Sequence, residues 1–414
     1  MTKRQVQPRF VGLVADDLTG ANDSAVQFTL AGWDTWLIRH LTELDKLVPP
    51  AGCSRLAAVT TASRACTDEE AARRTAAAVE ALAAAGVERL FLKIDSTVRG
   101  AIAGQVTGSL AAWGAVHPDA VVVICPAFPD HGRTVSGGEV LVAGVPVADS
   151  VAATDPVTPV SVSALDQLVP DSVLLSAVDS ISDQHVGRRF VVDARTNEDL
   201  ASIASIIDHL GPGGIAVGSA GLAAAMAARW RVEEQPSARS QQRLVRRVLV
   251  AVSSPHPVAQ SQVAKLLARV PDAIRVEAAA EQRRGPIGIG VISAPGRRTP
   301  AADWKLVALA GQVATELNRQ PYDAIVLVGG DGALAILDLL GAMAVKITGQ
   351  ISSGIPRGIV VGGLADGLPI VTKSGGFGDA RSLLDIIDSI RTEDETSALA
   401  QPDASDPDQQ EERR

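Results

Sequence analysis

Cysteine is scarce in this chain of 414 residues: Cys53, Cys66 and Cys125 are the whole complement, and no two form a C-x-x-C pair. An odd, unpaired set fits neither a disulfide framework nor a zinc site, and a reducing cytoplasm is the expected home. Positive charge is in deficit. With 38 Lys and Arg against 47 Asp and Glu the formal net charge is −9, which argues against nucleic acid as a partner. Residues 391–414 hold eight of the acids and three of the arginines, so this tail carries −5 and the body only −4. Long uncharged apolar runs are also missing. The first is broken by Asp16 and Asp17, which excludes a signal-peptide core, and Leu210 to Ala228 contains five glycines and a proline, so it reads as turn plus helix rather than a membrane span. The chain has no G-x-x-x-x-G-K-[ST] loop, no G-x-G-x-x-G fingerprint, no H-E-x-x-H and no G-x-S-x-G elbow. P-loop nucleotide binding, a Rossmann dehydrogenase and the commonest hydrolases therefore have no signature here.

What is present is 46% hydrophobic and 21% charged residues, the balance of a folded globular protein, in a length that suits two or three domains of roughly 150 residues. Short β-branched runs ending in Gly, Asp or Ser alternate with alanine-rich segments, the pattern of parallel strands joined by helices. Strands are expected at Phe10–Ala15, Arg89–Lys93, Ala120–Cys125, Phe190–Val192, Ile215–Val217, Val248–Val252, Gly290–Ile292, Ala324–Val328 and Ile370–Thr372. Helices are expected over Asp68–Ala85 and Asn197–Leu210, each opened by its own Asp or Asn as cap. The polar stretch 231–247, interrupted by Pro236, reads as a linker between an N-terminal domain, 1–230, and a smaller C-terminal domain, 248–390. The acidic segment 391–414 has no periodicity and reads as a disordered tail. The expected class is α/β, two domains each built on a mostly parallel sheet flanked by helices.

Charged side chains gather at strand ends in the first half. Asp16 and Asp17 follow the first strand and precede a glycine turn, where ligands bind in open parallel sheets. Lys93, Asp95, Ser96, Thr97 and Arg99 crowd one strand end and its loop, a mixture suited to an anionic, polyhydroxylated ligand or, more plainly, to a structural salt bridge. Arg64 follows another strand, and Arg133 follows the rigid turn after Cys125. Glycine-rich elements gather instead in the second half: Ser253 and Ser254, Gly329, Gly330 and Asp331, Gly354, Gly362 and Gly363, and Gly375 with Gly376. Glycine lets backbone N–H groups approach phosphate, and a strand–glycine–helix junction aims a helix N-terminus at it.

Together Asp16-Asp17-Leu-Thr-Gly-Ala-Asn-Asp23, Lys93-Ile-Asp-Ser-Thr-Val-Arg-Gly100, Pro126-Ala-Phe-Pro with Gly132-Arg133, Gly218-Ser-Ala-Gly-Leu222, Gly329-Gly-Asp331 and Lys373-Ser-Gly-Gly-Phe-Gly378 resemble the four-carbon acid sugar kinase family, in the family's order and across nearly the whole chain to about residue 390. The resemblance implies an ATP-dependent kinase of D-threonate, D-erythronate, 3-oxo-tetronate or a related acid, with Mg²⁺ and with the reaction in the cleft between an acid-binding N-terminal and an ATP-binding C-terminal domain. It implies an acid site of Asp16, Asp17, Arg64, Lys93, Asp95, Ser96 and Arg99, and a nucleotide site of Ser253, Ser254, Gly329, Gly330, Asp331, Gly375 and Gly376. Three positions depart from the pattern. Ser253 stands where Gly is usual, Ala259 where Thr is usual, and Gly332 where Thr is preferred.

Phosphoryl transfer to a polyol needs a base at the attacking hydroxyl and charge neutralisation around the phosphates. Asp17 is the leading base and Asp95 its rival, with Arg64 and Arg99 on the substrate carboxylate and Lys93 offsetting phosphate charge. A binding-only sensor of sugar acids or nucleotides on the same fold is the alternative. The sugar acid, the metal ligands and any assembly into a homo-oligomer stay open.

Overall fold

The computed structural model describes residues 7–47, 53–155, 157–175, 188–232, 245–276, 288–294 and 303–392. Most of the proposed linker and nearly all of the acidic tail lie outside the described residues. In the first half the strands are β1 (Phe10–Ala15), β2 (Asp34–Ile38), β3 (Arg55–Thr60), β4 (Arg89–Lys93), β5 (Val121–Cys125), β6 (Arg133–Ser136), β7 (Glu139–Val142), β8 (Val145–Pro146), β9 (Val173–Leu175), β10 (Arg189–Val192) and β11 (Gly214–Gly218). The second half supplies β12 (Val248–Val252), β13 (Ala273–Arg275), β14 (Ile289–Ser293), β15 (Ala324–Val328), β16 (Ala344–Ser352), β17 (Ile355–Val361) and β18 (Pro369–Lys373). The helices are α1 (Leu18–Leu30), α2 (Asp68–Ala84), α3 (Ile102–Val116), the single turn α4 (Leu165–Leu168), α5 (Asn197–His209), α6 (Ala220–Arg229), α7 (Pro257–Arg269), α8 (Asp303–Arg319), α9 (Gly330–Leu339) and α10 (Ser382–Thr392).

Two α/β domains result, each a largely parallel sheet between helices. The first orders its strands β2-β3-β1-β4-β11-β5-β10-β9, all parallel, and the second β13-β14-β12-β15-β18, all parallel. Strand β12 shows why both faces must be apolar: Val248, Val250 and Val252 enter the core beneath α7 and α10, while Leu249 and Ala251 enter the core shared with the first domain. The two sheets are continuous at their edges. The hairpin β16–β17 pairs antiparallel to β18 on one side and to β2 on the other, which closes a 15-stranded sheet and reverses the strand direction between the domains. Helix α1 crosses the join, where Asn22 Nδ2 donates to Thr372 Oγ1 at 2.9 Å.

Both expected helices form, but their caps sit one residue earlier. Thr67 Oγ1 accepts from Glu70 N, and Thr196 closes a capping box with Asp199. Asp68 is thereby free to reach across and accept from Gly104 N at 2.9 Å, tying α2 to α3.

Candidate functional site

Parallel strands β3, β1 and β4 end side by side, so residues 48 and 79 positions apart meet at one edge. Arg64 donates through Nε and Nη2 to Asp16 at 2.7 and 2.9 Å, and Nη2 also reaches Asp17 Oδ1 at 2.8 Å. Asp95 lies 3.7 Å from the same guanidinium. Asp16 is fully buried with both oxygens turned to Arg64, and burial raises its pKa despite the arginine. Its place is that of a support for Arg64. Asp17 caps α1: Oδ1 accepts from Gly20 N at 2.9 Å and Oδ2 from Thr19 Oγ1 at 2.6 Å. Burial pushes the Asp17 carboxyl up, but Arg64, Lys93 and the Thr19 hydroxyl together hold it below the ordinary value, so it is ionised at neutral pH. Lys93 is buried beside it. A Cβ at residue 20 would sit 2.5 Å from Asp17 Oδ1 and 2.7 Å from Lys93 Nζ, so only glycine admits the ammonium there.

Asp95 is the more heavily occupied carboxylate. Its Oδ2 accepts from Thr97 N at 3.2 Å, from the Thr97 hydroxyl and from Arg99 Nε at 2.8 Å, and its Oδ1 accepts from Arg99 Nη2 at 2.9 Å. Arg99 Nη1 turns to Asp155 at 3.1 Å. Burial raises the Asp95 pKa, and Arg99 and Arg64 more than reverse this, holding it well below the usual carboxylate range. Ser96 is half-buried on the same loop. Asp23, one turn beyond Gly20, has a buried Oδ1 with no hydrogen-bond partner, and burial lifts its pKa to about 6 against the pull of Lys93. Nothing in its sequence context separates it from the rest of its motif.

The nucleotide candidates also meet at strand ends, here of β12, β15 and β18. Ser253 Oγ donates to the carbonyls of Val328 and Gly329, and Gly329 N donates to Lys373 O at 2.9 Å. Gly329 holds φ +107 at the start of α9, where a Cβ would fall 2.4 Å from Ser253 Oγ. Gly375 packs against Ser254 and Gly376 against His256, and Gln262 of α7 pins the loop by donating to the carbonyls of Phe377 and Asp379. Asp331 is exposed on the first turn of α9.

The two clusters touch. A Cβ on Gly330 would be 3.4 Å from both Asp17 Oδ2 and Thr19 Oγ1, so the N-termini of α9 and α1 converge on one carboxylate. A cavity of about 600 Å³, lined by Gln27, Asn197, Arg229, Gln350 and Ser353 among others, opens at the other end of α1. Gln27 lies ten residues along α1 from Asp17, about 15 Å away at 1.5 Å per residue. Among the described residues, no group of three or more His, Cys, Asp or Glu could hold a metal ion, and no helix is long and apolar enough to cross a membrane.

Lys373, quoted in the sequence only as the start of a glycine-rich motif, is the last residue of β18 and only 1% exposed. Its ammonium donates to Ser374 O at 2.8 Å, and among the described residues no carboxylate pairs with it. Burial lowers its pKa from 10.5 to about 8. A buried cation without an anion is costly, on the order of 3 kcal/mol for this displacement. Lys373→Met should therefore raise the melting temperature of the ligand-free protein below pH 8. The gain should shrink between pH 8 and 10.5, because there the unfolded lysine binds a proton that the folded one does not, and wild-type stability rises with pH. An unchanged melting temperature at pH 7 would mean that the ammonium is already compensated.

A sugar-binding N-terminal domain model matches residues 11–226, and a nucleotide-binding C-terminal domain model matches residues 296–383. A D-threonate kinase from Bordetella bronchiseptica is 37% identical over 92% of this chain and 98% of its own length. The chain belongs to the four-carbon acid sugar kinase family. A 3-oxo-tetronate kinase of Methylobacterium radiotolerans is 26% identical over 89% of the chain and 96% of its own. A solved structure from Salmonella typhimurium LT2 shares the fold, with TM-score 0.71 at 22% identity, over 91% of this chain and 98% of that one. Family membership gives the chain the general character of a phosphotransferase acting on sugar acids.

Proposed function

We propose that this protein transfers the γ-phosphoryl group of ATP to a hydroxyl of a four-carbon sugar acid, at the junction of α1 and α9. The observation that carries the reading is Asp17 Oδ2. Among the described residues it accepts a single hydrogen bond, from Thr19; it faces the N-terminus of α9 and belongs to a carboxylate kept ionised by Arg64 and Lys93. A carboxylate oxygen offers about two acceptor sites, so one remains for the proton of an attacking hydroxyl. Asp95 is crowded by Thr97 and Arg99 and serves better as the frame that fixes them. Ser253, Ser254, Gly329, Gly330, Gly375 and Gly376 support the nucleotide assignment because their backbone lies at strand ends and a helix N-terminus, where phosphate is favoured. Lys373 would supply charge beneath it. Asp331 fits Mg²⁺, which commonly takes one or two carboxylates together with phosphates and water. When bound, that ion would neutralise charge on the phosphate oxygens.

D-threonate is the first acid to test, on the strength of the Bordetella relative, with D-erythronate and 3-oxo-tetronate beside it. ADP release should require ATP, Mg²⁺ and one of these acids. No release with any four- to six-carbon acid, in a protein whose melting temperature still rises with the acid or with ATP, would favour a sensor.

A further inference from the structure

Four cations surround the acid side of the junction, and two of them are forked onto carboxylates of the protein. Arg64 is forked onto Asp16 and shared with Asp17. Arg99 is forked onto Asp95 and extended to Asp155. Lys93, a point charge without a planar fork, lies within the fields of Asp16, Asp17, Asp23 and Asp95. Arg133 differs. It opens β6 after the tight turn Pro129–His131, half-buried and within reach of the charges of Asp95 and Arg99. Among the described residues its one side-chain hydrogen bond runs from Nη1 to the backbone oxygen of His131 at 2.6 Å, and its buried Nε has no partner. No carboxylate pairs with it among the described residues.

We infer that Arg133 is the residue that reads the carboxylate of the sugar acid, while Arg64 and Arg99 hold the protein carboxylates in place around it. The inference rests on the proposed kinase reading. Nε and Nη2 lie on one edge of the guanidinium, and together they match the two oxygens of a planar carboxylate through parallel hydrogen bonds. For Arg64 and Arg99 the same edge is already taken by Asp16 and Asp95, and an incoming acid would have to displace a buried ion pair. The position also explains a link between the domains. His131, two residues before Arg133, lies 3.2 Å from Ser353 Oγ and packs edge-on against Phe377 of the nucleotide loop. An acid anchored on Arg133 is therefore held next to the contact between the two halves.

The test is Arg133→Lys and Arg133→Met, each measured for phosphorylation kinetics and, without nucleotide, for D-threonate binding by calorimetry. Loss of a charge-assisted fork should raise the KM and the Kd for D-threonate on the order of 10–100-fold. The KM for ATP should stay within about twofold of wild type. Threitol, the polyol without the carboxylate, should be a poor substrate of the wild type and lose little more in either variant. An unchanged KM for the acid in both variants, or a rise confined to ATP, overturns the inference. A wild type that binds D-threonate through Arg133 without phosphorylating it would instead overturn the kinase reading and leave this one standing.

Discussion

Asp17→Asn should lower kcat by about 10²–10⁴-fold, the usual cost of removing a general base, and leave D-threonate binding nearly intact. The substitution separates basicity from structure. Asparagine caps a helix about as well as aspartate, so the bond from Gly20 N survives, and Arg64 keeps both bonds to Asp16. What disappears is the ionised Oδ2 facing Gly330. Asp95→Asn is the necessary comparison. It breaks the fork that holds Arg99, so it should raise the KM for the acid and lower stability as well as turnover. Near-normal kcat in Asp17→Asn, with collapse of kcat alone in Asp95→Asn, would transfer the role of base to Asp95.

Gly332→Thr should disable the nucleotide side, and Ser253→Gly in the same chain should restore it. A Cβ at residue 332 would fall 2.1 Å from Ser253 Cβ and 2.3 Å from its Oγ, closer than any packed pair. Ser253 cannot retreat freely, because its hydroxyl donates to the Val328 and Gly329 carbonyls at the turn that starts α9. Overpacking of this kind costs about 1–3 kcal/mol, and displacing the phosphate-facing turn by about 1 Å can cost on the order of 10²-fold in rate. Ser253 and Gly332 thus form one exchange of side chains: a Cβ at 332 and the Ser253 side chain would occupy the same space. ATP KM and melting temperature measured in the two single variants and the double should show strong coupling. A double variant as impaired as Gly332→Thr alone would refute the exchange.

The parallel halves were legible because strands such as β1, β12 and β15 are buried on both faces and read as unbroken apolar runs. The hairpin β16–β17 was not. Its strands alternate between buried and open positions, carry Lys346, Gly349 and Pro356, and are interrupted by register shifts, so no apolar run marks them. The continuity of the sheet between the domains was hidden with them. The charged residues that meet at the ends of β3, β1 and β4 could be gathered from the sequence, but their pairing could not. The fork of Arg64 is filled by a carboxylate 48 residues away, which no local pattern shows, and the fold buries the Nε of Arg133 with no partner among the described residues. Lys373 was hidden for a similar reason: it ends β18, whose place between β15 and β17 is not written in its neighbours in sequence.

The most direct test is ³¹P NMR of a reaction of the protein with ATP, Mg²⁺ and D-threonate, followed in parallel with D-erythronate and 3-oxo-tetronate. A new phosphomonoester resonance, growing in step with ADP and carried on a hydroxyl of one of these acids, is the predicted result. ADP appearing only with inorganic phosphate, or no change in any of the three reactions, would contradict phosphoryl transfer to a sugar acid at the α1–α9 junction.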